Sequence, residues 1–170
     1  MLWGAYLSSI TRIYATFSVM RDSINNGVDF ITYSAQVTVM NKSLADFYSN
    51  SPNPRLFTDA DYLSMSSIIN DRIRKTAATC NAALKLWQYR NIRYNADGLD
   101  EYSKQYPYVD DVFNAMALVY PSVESSKIPP SSPNDGWRYS LESVMTTMLH
   151  ETSRQLEFVL NEYNKFIGEQ

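Results

Sequence analysis

"INNGVDFITYSAQVTVMNKS", residues 24–43, decides the fold, because two patterns compete within it. Its β-branched and aromatic side chains (Val28, Phe30, Ile31, Thr32, Tyr33, Val37, Thr38, Val39) favour a strand by propensity. Asp29, Ile31, Tyr33, Ala35, Val37 and Val39 would then share one face at period two. Upstream, however, apolar residues recur every seven positions at Trp3, Ile10, Phe17, Ile24 and Ile31, with Tyr6, Ile13 and Met20 on the companion seam. That is the rhythm of a bundle helix. The stripe enters residues 24–43 in phase at Ile31 and continues through Ala35, Val39, Leu44 and Phe47. Burial of such a face outweighs propensity differences of under ~1 kcal/mol per residue, so the stretch reads as helix. Asn25-Asn26-Gly27 predicts a break or kink in this long first helix, since Gly and Asn tolerate the left-handed backbone that ends helices.

Working outward, "SNSPNP" ends the first helical region and Thr58, with Asp61 three residues on, predicts the start of a second long helix. Its stripe is Met65, Ile69, Ile73, Ala77, Cys80, Leu84 and Trp87, and "NADG" at 95–98 is the expected stop. A short helix over Leu99–Tyr106 and another opened by Pro107 follow, the latter burying Val109, Val112, Phe113, Met116 and Tyr120. The proline-rich stretch 121–136 reads as a loop or contact arm. A last helix, from about Trp137 to Ile167, carries Leu141, Val144, Met145, Met148, Leu149, Leu156, Val159, Leu160, Tyr163 and Ile167 on a broad apolar face. The expectation is an all-α bundle of four to five long antiparallel helices, built from residues 1–170 as a single domain.

Composition limits the roles open to such a bundle. The chain has 170 residues, 45% hydrophobic and 19% charged, enough for a real core without metal or disulfide staples. A net charge of −3 supplies no global field to attract nucleic acid or an anionic membrane. One cysteine, Cys80, excludes an intrachain disulfide and a multi-cysteine metal site. Arg12 interrupts the aromatic N-terminal stretch, and no basic region precedes it, so neither a signal peptide nor a transmembrane segment is read there. A cytoplasmic location, or one within a virion, fits best.

Catalytic constellations fail at named positions. A zincin helix would need a second histidine where Arg154 stands, and a di-iron bundle would need Glu at Thr147, three residues before the lone His150. Cys80 and His150 could pair across two helices, but Cys80 falls in phase with Ile73, Ala77 and Leu84, where a thiol serves as a small apolar filler. An EF-hand centred on Asp97-Gly98 would place Arg93 and Lys104 where carboxylates must coordinate calcium. No cofactor or metal is expected, and the chain reads as non-catalytic.

The remaining signals concern contacts. Arg72, Arg74, Lys75, Lys85, Trp87, Tyr89, Arg90 and Arg93 form a basic, aromatic-interleaved candidate face for a protein partner or a nucleic acid. The acidic stretch Asp97, Asp100, Glu101, Asp110 and Asp111 offers to neutralise it within the molecule or across a subunit contact. Thirteen tyrosines, with Tyr33, Tyr48, Tyr89, Tyr102, Tyr106 and Tyr139 outside the stripes, suit protein interfaces. A structural or assembly protein is therefore expected, self-associating or docked in a larger complex. Its Tyr, Ser, Asn and Thr content with little lysine has the flavour of a viral or phage virion component. The alternative is a helical binding module for a peptide, an apolar ligand or nucleic acid through residues 72–94.

Overall fold

The computed structural model describes residues 2–50, 60–95 and 135–168, and the fold is an all-α bundle. Four helices make it up among the described residues, with no strand: α1 (Leu2–Asn25), α2 (Phe30–Asn50), α3 (Ala60–Asn95) and α4 (Asp135–Gly168). Asp135 and Gly136, assigned by sequence to the end of the proline-rich loop, instead open α4. The rest of that stretch, and the helices expected over 99–106 and from Pro107, lie outside the described residues.

The expected break at Asn25-Asn26-Gly27 is a full stop. Gly27 has φ +77°, and it is the only positive-φ glycine among the described residues. The Gly27 N–H donates to the Ile24 carbonyl at 3.1 Å and the Val28 N–H donates to the Ser23 carbonyl at 2.9 Å. This nested pair satisfies the last carbonyls of α1 and turns the chain away from the helix axis. Two residues later Asp29 caps α2, its Oδ1 accepting from the Thr32 N–H at 2.7 Å, three residues into the new helix. That hydrogen bond holds the Asp29 carboxyl below the usual carboxylate range.

Because α2 is an independent rod, the phase of α1 does not carry into it. Ile31, Ala35 and Val39, expected on the buried face, are exposed, Ile31 by 80%. The core residues of α2 are Tyr33, Val37, Met40, Leu44 and Phe47. Tyr33, set aside by sequence as a surface tyrosine, is fully buried. By contrast the α1 stripe is as expected, with Trp3, Tyr6, Ile10, Ile13, Phe17 and Met20 all buried.

The described residues group into two compact units, Met1–Ala77 with Ser153–Gln170, and Ala78–Thr152. In the first, α1 and α2 pair as an antiparallel hairpin, Tyr6 against Phe47 near one end and Ser23 against Gln36 near the other. The C-terminal part of α4 also runs antiparallel to α1, through the Tyr14–Tyr163 stack at 3.9 Å and the Arg21–Glu157 ion pair at 2.9 Å. Trp3 stacks on Tyr62 at 4.6 Å, and the Tyr6 hydroxyl donates to Asn70 Oδ1 at 2.6 Å, so α1 and the first half of α3 run in the same direction. Burial pushes the Tyr6 phenol well above its ordinary pKa. Tyr14 is shifted the same way, first by burial and then by Tyr6, Glu162 and Tyr163.

Polar residues also enter the core, and Ser66, Thr76 and Thr152 have hydrogen-bond partners there. Ser66 donates to the Leu63 carbonyl at 3.0 Å and Thr76 accepts from Gln155 Nε2 at 3.1 Å. In the second unit Thr152 donates to the Met148 carbonyl at 2.6 Å, the back-bonding that lets a hydroxyl sit in an apolar interior. That unit buries Thr79, Cys80, Ala82, Ala83, Leu86 and Trp87 of α3 and Met145 and Met148 of α4.

Candidate protein-contact surface

The basic cluster read from α3 is divided by the fold. Arg74 and Lys75 both hold Asp71, at 2.8 and 3.0 Å, and these hydrogen bonds, Lys75 first, keep its carboxyl below the usual range. Arg72 reaches Glu162 of α4 at 3.3 Å and lies 5.5 Å from the centroid of the Phe158 ring, within cation–π distance. These three cations belong to the first unit, and each has an acidic partner within it. Lys85 and Trp87 belong to the second unit. Lys85 is exposed, but Trp87 is buried and presents no open ring face to stack a base. Tyr89, Arg90 and Arg93 lie in the backbone of α3, with side chains outside the described set. Residues 97–111, offered as the neutralising acids, also fall outside it, and Glu162 together with Asp71 takes that role for Arg72, Arg74 and Lys75.

Cys80 is fully buried and His150 is exposed. Among the described residues no three His, Cys, Asp or Glu side chains converge as metal ligands would, and no helix is long and apolar enough to cross a membrane.

A different surface was hidden by the error in the phase of α2. On the outer side of the α1–α2 hairpin, Ala15 and Val19 face Ala35 and Val39 across a groove of about 370 Å³, edged by Arg12, Thr16, Thr32 and Gln36. Val19 is 55% exposed and Val39 54%. Ile31 stands one turn from Ala35 on the same helix. Arg12 and Asp46 approach to 3.9 Å near one end, both largely in solvent. Such pairs contribute little in water and leave the charges available. A second groove, of about 560 Å³, lies between α3 and α4 over Ile68, Phe158 and Phe166, with Arg72, Glu162 and Lys165 beside them.

The signal for the α1–α2 groove was present in the sequence. α2 carries two apolar stripes, Tyr33-Val37-Met40-Leu44-Phe47 and Ile31-Ala35-Val39, and one surface helix needs only one to join its own bundle. Sequence reasoning joined the two, running from the exposed Ile31, Ala35 and Val39 into Leu44 and Phe47, which are buried as expected. Comparison with known proteins returned no matching family model, no similar curated protein and no similar solved structure.

Proposed function

We propose that this protein is a non-catalytic structural or assembly component that works through protein–protein contacts. The observation that carries the reading is the second apolar stripe of α2, joined by Ala15 and Val19 of α1 in one exposed groove. Contiguous exposed apolar surface on a soluble bundle is costly to keep unless a partner covers it. Small alanines between valines allow another helix to approach closely, the pattern of a packing seam and not of a solvated face. A viral or phage particle is the kind of assembly that the tyrosine-, serine- and asparagine-rich composition suits. The basic face of α3 is the weaker candidate for contact, because Arg72, Arg74 and Lys75 are engaged by acids of their own unit.

The test is the native particle mass in an extract of the protein's source, for the wild type and for a Val19→Asp, Val39→Asp double variant. Both positions are more than half exposed, so the variant keeps its helical circular-dichroism signal and melting temperature. The wild type is expected to migrate in a particle well above its 19.5 kDa chain mass, and the variant to leave it. A folded double variant that stays in the wild-type particle would sink the reading.

A further inference from the structure

We infer that the partner covering the α1–α2 groove is a second copy of this chain, packed across a two-fold axis that runs perpendicular to the helices. This rests on the reading of that groove as a contact surface.

Shape supplies the first argument. Each wall of the groove steps from Ala to Val over one helical turn, Ala15 to Val19 on α1 and Ala35 to Val39 on α2. The two helices are antiparallel, so small and large side chains alternate diagonally over the face. A copy turned by the two-fold axis lays α1 on its counterpart in reverse, setting Ala15 against the partner's Val19, and α2 likewise, setting Ala35 against the partner's Val39. Every valine then meets an alanine, as interdigitated packing requires.

Charge supplies the second argument and chooses among the two-fold arrangements. Past the valines, one end of the face carries Arg12, Lys42 and Asp46, a net charge of +1, all three exposed. The other end carries Asp22 and Asp29, both exposed, with Arg21 held on Asp22, for a net charge of −1. Arg21 bridges Asp22 at 3.1 Å and Glu157 of α4 at 2.9 Å. A two-fold axis parallel to the helices would lay like ends on each other. The perpendicular axis lays opposite ends together. Arg12 lies three residues before Ala15 and Asp22 three after Val19, so the register that pairs Ala15 with Val19 also pairs Arg12 with the partner's Asp22. Both pairs occur twice in the dimer, as an isologous interface demands.

The experiment measures the mass of the purified chain by light scattering over a concentration series, with circular dichroism confirming that each variant is folded. The wild type is expected at twice 19.5 kDa. Arg12→Asp and Asp22→Lys each place like charges together at two rim contacts, and each is expected to weaken the dimer roughly ten-fold or more. The Arg12→Asp, Asp22→Lys double variant restores opposite charges across the axis and is expected to recover most of the wild-type affinity. A purified wild type that is monomeric at every concentration, or that forms particles larger than a dimer, overturns the inference. So does a double variant no tighter than its single parents. If Val19→Asp with Val39→Asp still releases the chain from its particle in the extract, the contact-surface reading stands without a second copy as the occupant. If it does not, both fail.

Discussion

Replacing Tyr33 by Ala and, separately, Ile31 by Ser puts the phase of α2 to a direct measurement. The two residues are neighbours but one, both apolar in bulk, and sequence periodicity favours Ile31 as the core residue. In the structure Tyr33 has no exposed surface, whereas Ile31 is 80% exposed. Removing a fully buried aromatic ring forfeits its transfer free energy and leaves a cavity, together about 3–5 kcal/mol. In a chain of this length each kcal/mol moves the melting temperature by about 2–4 °C, so Tyr33→Ala is expected to melt roughly 6–20 °C below the wild type. Ile31→Ser removes side chain that water already covers and is expected within about 0.5 kcal/mol of the wild type, or under ~2 °C. Thermal melts followed by circular dichroism at 222 nm, with urea titration for the free energies, give both numbers. Repeating them at two protein concentrations separates folding from association, because only an associating species has a concentration-dependent midpoint. An Ile31→Ser loss as large as that of Tyr33→Ala, independent of concentration, would refute the assigned face of α2.

Gly27→Ala is expected to cost about 1–2 kcal/mol through its left-handed backbone alone, since a Cβ there would meet nothing within 4 Å; Gly27→Asn, which tolerates that conformation better, should lose less in the same urea titration. Asp29 is held below the ordinary carboxylate pKa by its cap to Thr32, so its contribution is present above the unfolded-state value and disappears as pH falls through the folded one. Asp29→Asn keeps an acceptor for the cap and is expected to flatten that acid-side loss in a stability-against-pH profile. Cys80, fully buried, is expected to resist alkylation in the folded protein and to react at the rate of an ordinary thiol after denaturation; fast native labelling would contradict its place in the core.

The sequence by itself determined the class of fold. The heptad of α1, the stripe of α3 from Ile69 through Cys80 to Trp87, and the Met148, Leu156, Val159 and Leu160 face of α4 are periodic over many turns, and a long run of one period admits a single buried side. The stop at Gly27 was legible too, because one residue type fits a left-handed backbone at little cost. What only the tertiary structure decided was which side of α2 faces inward. Both of its stripes are apolar and helical in period, and a reversal of chain direction over four residues resets the phase, so nothing local ranks Tyr33 above Ile31. The ranking comes from the neighbours, Tyr6 packing against Phe47 and Ser23 bonded to Gln36, residues far apart in sequence. The same holds for the basic cluster on α3. Its charges were plain in the sequence, and so was Asp71 within one turn of Arg74 and Lys75, but the engagement of Arg72 by Glu162, ninety residues on, exists only once the chain is folded.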